Sequence, residues 1–325
     1  MTRITIEQRT TEPLFSSERP HEDFILGYCT VRRIGGQWHM WYEAYDHNYT
    51  YDADGFLCYA HSTDGIRWER PNLGLVEYDG NWENNILLSG TAIGGVHGHT
   101  VFLDEEAPDE ERFKIVFIKP VGAEWWVHGG TSGDGIHWHL IEEPLLKKNS
   151  DTKIVCFRDG QLYRLYVRMW TGDLGQGDLY QGKRVVGYTQ SPTFGAFPDP
   201  QVILQPDEHD PPRMDFYDSA ATKLREDLYI IFPTAFYQDE NVTRPHAAVS
   251  NDGINFSRIG SEPMLELGKG FDSKGIYVAP GPIPGEEPGT YWFYYLGTHI
   301  GHDQNLPGKV HAAGGYGRFL VRISE

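Results

Sequence analysis

One pattern occurs three times in this chain: Ser-x-Asp-Gly-Ile-x-aromatic, at Ser62–Trp68 (STDGIRW), Ser132–Trp138 (SGDGIHW) and Ser250–Phe256 (SNDGINF). Asp-Gly is tight-turn chemistry, because glycine accepts the positive φ that the second turn position needs. Each copy follows a strand-like run ending in small or β-branched residues (LCYAHS, VHGGTS, HAAVS), and its aromatic opens the next run. The unit is strand, turn, strand: the outer hairpin of a small antiparallel sheet. Asp64 and Asp134 are 70 residues apart, and Asp134 and Asp252 are 118 apart, close to two steps of 59. Near that midpoint, VGYTQSPTFGAF (Val186–Phe197) keeps the strand–turn–aromatic logic without Asp-Gly. Such a period in 325 residues makes about five units of roughly four strands, which is blade spacing in a β-propeller. A β-sandwich does not repeat one hairpin signature in this way.

The rest of the chain agrees. Its 37 Gly and 20 Pro are spread throughout, bounding short β-branched and aromatic runs such as Gly36–Tyr45, Phe113–Ile118, Gln161–Trp170, Asp227–Tyr237 and Thr290–Gly297. Helical periodicity is confined to PDEERF (Pro108–Phe113), one turn at most. The expected class is all-β, a five-bladed β-propeller. Residues 1–325 form one domain, with blades at roughly 20–90, 95–146, 150–205, 213–265 and 272–325. GGYGRF (Gly314–Phe319) enters the last strand, which closes the ring beside N-terminal sequence.

Net charge is −18, from 28 basic and 46 acidic side chains. A surface that negative repels nucleic-acid phosphates and anionic lipid, so neither is an expected partner. Cys29, Cys58 and Cys156 form no CxxC pair and read as buried thiols. The polar start MTRITIEQRTTEPLF has no signal-peptide core, and no run approaches a spanning helix, so a cytoplasmic location is expected.

The Asp-Gly hairpins, together with PNLGLVEYDG (Pro71–Gly80), PDEERFKIVF (Pro108–Phe117) and FRDG (Phe157–Gly160), resemble the five-bladed propeller glycosidases related to glycoside hydrolase families 32 and 43. The resemblance covers nearly the whole chain. The WMNDPNG-like opening and the Glu-Cys acid/base motif of family 32 invertases are missing. What the resemblance implies is therefore a glycoside-active propeller, not an invertase. It also implies that a central divalent cation is possible, although no cofactor is expected.

In a propeller the first strand of each blade lines the central funnel. The blade openings are unusually polar: His21–Phe24 with Trp41–Asp46, Gly95–Phe102, Ser150–Phe157, Met214–Ala221 and Phe271–Tyr277. An aspartate in such a strand is costly to bury unless it is paired or used. Glycoside cleavage needs one protonated carboxyl and one ionised one, and Asp151, Asp215 and Glu43 are the catalytic candidates. Asp215 or Glu43 would donate the proton, and Asp151 would orient the sugar. Asp46 and Asp218 read as turn or supporting residues, Asp159 as structural, and Asp64, Asp134 and Asp252 as turn formers.

For substrate contact the candidates are His97, His99, Arg168, Trp170, Tyr217, Asp272 and Tyr277. Arg168 and Lys274 can offset negative charge or meet an anionic sugar, and Trp125 and Trp126 are further stacking platforms. His97 and His99, two apart in a strand, would share a face and could hold a metal with a carboxylate, touch a sugar hydroxyl, or be structural.

The expected function is an exo-acting glycosidase for a small glycan or oligosaccharide. Two alternatives stay open: a non-catalytic carbohydrate-binding propeller, and a metal-dependent sugar-active hydrolase or lyase. A small carbohydrate is the expected partner, and a homo-oligomer is compatible with the sequence.

Overall fold

A computed structural model describes residues 2–172, 182–303 and 314–324. Among these residues the regular secondary structure is nearly all strand, with isolated helical turns such as Asp109–Glu111 inside the expected PDEERF stretch. No helix of the described residues is long and apolar enough to cross a membrane. Cys29, Cys58 and Cys156 are free and buried. The chain divides into two compact units: residues 1–96, 241–243 and 265–325, and residues 97–240 and 244–264.

The first unit holds a four-stranded antiparallel sheet of Ile25–Ile34, Gln37–Tyr45, Phe56–Ser62 and Ile86–Ser89, in chain order. A second group runs Gly275–Val278, Thr290–Thr298, Gly315–Ser324 and finally Arg3–Arg9. The N-terminal strand lies antiparallel to the C-terminal one, with Arg3 opposite Ser324 and Arg9 opposite Phe319. Chain ends are thereby paired, as GGYGRF suggested.

The second unit holds two further four-stranded sheets: His97–Leu103, Phe113–Val121, Glu124–Ser132 and His139–Leu140, then Val155–Asp159, Leu162–Trp170, Arg184–Ser191 and Gln201–Leu204. A third group comprises Met214–Arg225, Leu228–Tyr237, Ala248–Ser250 and Ser257–Arg258. Apolar faces of neighbouring sheets close on each other. Val116, Ile118 and Val127 pack with Ile154, Cys156, Leu165 and Val167, while Tyr166, Val186 and Tyr188 pack with Phe216, Ile231 and Ala248.

The three repeated turns are near-identical in their bonding. In each, the serine Oγ accepts the Asp and Gly amides, at 3.2 and 2.9 Å every time. The aspartate Oδ1 accepts the amides of the next two residues after the glycine, at 2.7–2.8 Å. The glycines have φ of 69°, 76° and 75°, the region that disfavours a side chain. These aspartates are turn formers, and the backbone amides hold the Asp64 and Asp252 carboxyls below their usual range. Ser191 supplies a reduced version at the fourth place, accepting the Thr193 amide at 3.3 Å.

Two of the turns also receive a neighbour. Within the first unit the Tyr294 hydroxyl donates to the Gly65 carbonyl at 2.5 Å, and within the second the Tyr166 hydroxyl donates to the Gly253 carbonyl at 2.8 Å. Both tyrosines sit on the second strand of the sheet alongside.

Candidate active site

In the second unit three carboxylates and three cations meet where two sheets begin. The segment Ser150–Lys153 leads into Val155–Asp159 and is pinned at both ends. The Ser150 amide donates to the Trp125 carbonyl at 2.9 Å, and the Ile154 amide to the Gly98 carbonyl at 2.8 Å. Gly98 has φ of 64° and lies so close to the Thr152 carbonyl that a β-carbon would collide with it. Asp151 sits on this segment with 36% of its side chain exposed.

Arg168, from Leu162–Trp170, is 4% exposed. It pairs through Nη2 with Asp151 Oδ1 and donates to the Asp151 carbonyl at 2.8 Å. Its Nη1 donates to the Tyr217 carbonyl at 3.3 Å. The guanidinium lies 4.5 Å from the Tyr217 ring centre and 4.9 Å from that of Trp170, within cation–π range of both.

A β-bulge arranges the next strand. Asp215 lies opposite Phe236 and Phe216 opposite Ala235, but Asp218 lies opposite Thr234. Tyr217 is the additional residue. Three positions apart, Asp215 and Asp218 would point to opposite faces of a regular strand; the inserted residue returns them to one face. Asp218, expected in a turn or a supporting place, is thus a strand residue beside Asp215.

Asp215 is 3% exposed, and its Oδ2 accepts from Arg184 Nη1 at 2.8 Å and Gln238 Nε2 at 2.9 Å. Gln238 Oε1 accepts from Arg213 at 3.3 Å, which turns the amide nitrogen toward Asp215. Arg184 also lies over the Tyr217 ring, at 5.6 Å. Asp218 Oδ2 accepts from Lys153 Nζ at 2.9 Å, in a pair with side-chain exposures of 1% and 0%. Val167, Arg168, Val185, Phe216, Tyr217 and Asp218 border a narrow gap with no room for a water molecule. Asp151, Asp215 and Asp218 against Lys153, Arg168 and Arg184 leave the neighbourhood near neutral in a protein of net charge −18. A neutral polyol with many hydroxyls suits such a surface, because it can donate to the acids and accept from the bases.

The structure therefore brings together Asp151, Arg168, Trp170, Tyr217 and Asp215 from the sequence candidates. Lys153, Arg184 and Gln238 join them without having been singled out. Lys153 lies in the polar opening SDTKIVCF, where a lysine beside an apolar run signals a buried acid as its partner.

His97 and His99 begin another strand of this unit, 8% and 0% exposed. The His97 ring meets Trp125 edge-on at 5.9 Å. The pairing slips between His97 and Thr100, around Gly98, so regular alternation does not place the two histidines on one face. Among the described residues no group of three or more His, Cys, Asp or Glu is placed to hold a metal ion. Trp126 donates to Glu124 at 2.8 Å. Asp159 accepts from Arg164, from Lys223 at 2.7 Å and from Tyr229 at 2.5 Å. Burial opposes its charge, but these bonds keep its carboxyl below the usual range.

Glu43, Asp272 and Tyr277 belong to the first unit. Glu43 is 1% exposed and accepts the Tyr45 hydroxyl at 3.1 Å. Burial, then the Glu43 charge, push that phenol well above its ordinary range. Gly27 makes the room, since a β-carbon there would stand 2.6 Å from Glu43 Oε2. Asp272 pairs with Arg9 of the N-terminal strand and accepts the Tyr295 hydroxyl at 2.9 Å. The Tyr277 hydroxyl meets His302 Nδ1 at 2.8 Å. Lys274 is exposed, and Asp46 accepts from Asn48 and from Tyr78 at 2.9 Å, in a turn.

No family model matches this chain, and no curated protein matches it. Solved structures do. A β-1,2-mannobiose phosphorylase from Listeria innocua, in complex with β-1,2-mannobiose, is similar at a TM-score of 0.64 and 14% identity, over 96% of this chain and 95% of that one. An N-acetylgalactosamine deacetylase from F. plautii, in complex with blood group B trisaccharide, matches at 0.63 and 14%, over 95% of both chains. The catalytic domain of a family 62 α-L-arabinofuranosidase from Coprinopsis cinerea matches at 0.62 and 12%, again over 95% of both.

The chain has the five-bladed β-propeller fold. At this identity the likeness carries architecture, and chemistry must be argued from residues. In blade terms, the Asp151 segment opens the third blade, and Asp215, Tyr217 and Asp218 lie on the first strand of the fourth.

Proposed function

We propose that this chain is an exo-acting O-glycosyl hydrolase taking a small glycan. The observation that carries the reading is the gathering of Asp151, Asp215 and Asp218 with Arg168 and Arg184 around the Tyr217 ring. Support comes from the solved structures of this fold, several of which are enzymes or complexes of carbohydrates by their own descriptions.

Cleavage of a glycosidic bond passes through an oxocarbenium-like state. It requires a proton for the leaving oxygen and a carboxylate for carbon or for water. Asp215, whose one oxygen faces both Arg184 and Gln238, takes the carboxylate role. Arg168 fixes Asp151, whose exposed portion then orients sugar hydroxyls. Tyr217 and Trp170 offer ring faces to the apolar side of a pyranose or furanose.

A panel of aryl glycosides, pyranosides and furanosides, tests the reading with wild type and Asp215→Asn. Asp215→Asn should lose at least about a thousandfold in kcat while keeping its melting temperature. Running Glu43→Gln and Asp151→Asn beside it assigns the proton donor: that variant keeps turnover on dinitrophenyl glycosides, which leave unaided, and loses it on alkyl ones. Saturable sugar binding without turnover on any glycoside would make the protein a binding module instead.

A further inference from the structure

Asp215 is held unequally at its two oxygens. Oδ2 accepts from Arg184 Nη1 at 2.8 Å and from Gln238 Nε2 at 2.9 Å. Among the described residues no group donates to Oδ1, and unlike Asp218 Oδ1 it is not sealed from solvent. The two donors arrive from different sheets: Arg184 opens the strand Arg184–Ser191, and Gln238 follows Leu228–Tyr237. Phe236 lies opposite Asp215, so Gln238, two residues on, is its diagonal neighbour on the same face.

The terminal torsion of an aspartate is soft and nearly two-fold, so a single ionic partner leaves the carboxylate able to turn. A second donor on the same oxygen, coming from another direction, fixes its plane. Arg184 already supplies the counter-charge, so the neutral amide adds direction and no charge. Gln238 is itself held from behind. Its backbone amide donates to the Arg213 carbonyl at 3.1 Å, and its Oε1 accepts from Arg213 Nη2 at 3.3 Å. Asp239 lies 2.9 Å from Nη1 of the same guanidinium. Arg213 and Asp239 are exposed, so this arm reaches from the surface to a carboxylate that is 3% exposed.

We propose that Gln238 is a positioning residue: with Arg184 it occupies Oδ2 and turns Asp215 so that Oδ1 is the oxygen presented to the substrate. The inference rests on the hydrolase reading above. Two rivals are local. Gln238 could touch the sugar itself, or it could serve only the hairpin end where Met214 pairs with Tyr237.

The test is a kinetic cycle on an aryl glycoside that wild type turns over. It uses Gln238→Met, Gln238→Lys, Asp215→Asn and the double variant Asp215→Asn/Gln238→Met. Methionine keeps the length of glutamine but cannot donate. Gln238→Met should lose roughly ten- to a hundredfold in kcat, the cost of a misplaced group, with KM and melting temperature unchanged. Gln238→Lys, which still donates, should recover most of that loss. The double variant should lose no more than Asp215→Asn alone, because Gln238 acts only through Asp215.

A Gln238→Met enzyme as fast as wild type overturns the proposal, as does a Gln238→Lys enzyme no better than Gln238→Met. A rise in KM at constant kcat overturns it by making Gln238 a sugar contact. Losses that multiply in the double variant, or a lower melting temperature with kcat unchanged, overturn it too. Each of these outcomes leaves the hydrolase reading standing. No turnover of any glycoside by wild type removes that reading, and the positioning role falls with it.

Discussion

Glu22 and Asp218 are both carboxylates with no exposed side-chain surface, and each faces a cation. Glu22 Oε1 accepts from Arg70 Nε at 2.9 Å and the Tyr42 hydroxyl at 2.5 Å. Its Oε2 takes Arg70 Nη2 and the amides of Glu18 and Arg19, at 3.1, 2.8 and 3.2 Å. Asp218 has Lys153 on one oxygen and an open acceptor on the other. The turn aspartates side with Glu22, since serine and backbone amides occupy them. A carboxylate saturated by its own chain is committed to the fold. Asp218 is buried without that saturation.

The contrast breaks most visibly at Glu22. Glu22→Gln leaves the Arg70 guanidinium, whose side chain is 5% exposed, without its buried counter-charge. A loss of roughly 3–5 kcal/mol is expected, read as a shift of the denaturation midpoint. A variant as stable as wild type would show that saturation does not mark structural acids.

A smaller effect should follow Asp252→Ala, which strips the acceptor from the Ile254 and Asn255 amides. About 1–2 kcal/mol is expected, with most of it recovered in Asp252→Asn, whose amide oxygen still accepts. Any change in sugar affinity from this turn would blur the division.

The smallest signal is in pH. Burial opposes the charge of Asp134, yet bonds from the His137 amide and ring and the Ile136 amide lower its carboxyl to about 2. The unfolded value is about 3.9. Because the folded value is depressed, the contribution is present above pH 4 and is lost as pH falls toward 2. With half the side chain in solvent it amounts to a few tenths of a kcal/mol. Asp134→Asn should flatten that part of the acid unfolding curve by this much; a steeper limb would contradict the assignment.

Architecture was legible because the turn chemistry is local. The Ser62 and Asp64 side chains bond amides within a few residues, so the motif carries its own geometry, and its spacing counts sheets. The site was legible only in part. Asp151, Arg168, Tyr217 and Asp215 were visible as polar residues at strand openings. Asp218, read as a turn or supporting residue, lies on a strand, where a bulge at Tyr217 puts it on the face of Asp215, and nothing in MDFYDSAA distinguishes a bulged strand from a regular one. Gln238 and Arg184 come from strand ends whose registry is set by pairing, and Gly98 interrupts the alternation that would have put His97 and His99 together.

The phenol of Tyr294 on Gly65 and that of Tyr166 on Gly253 each touch a turn whose serine and aspartate already tie its backbone amides. Such a contact transmits angle. Each of these two hairpins becomes an index mark for the adjoining sheet, so the orientation of a strand opening several residues away is tied to a turn remote from it.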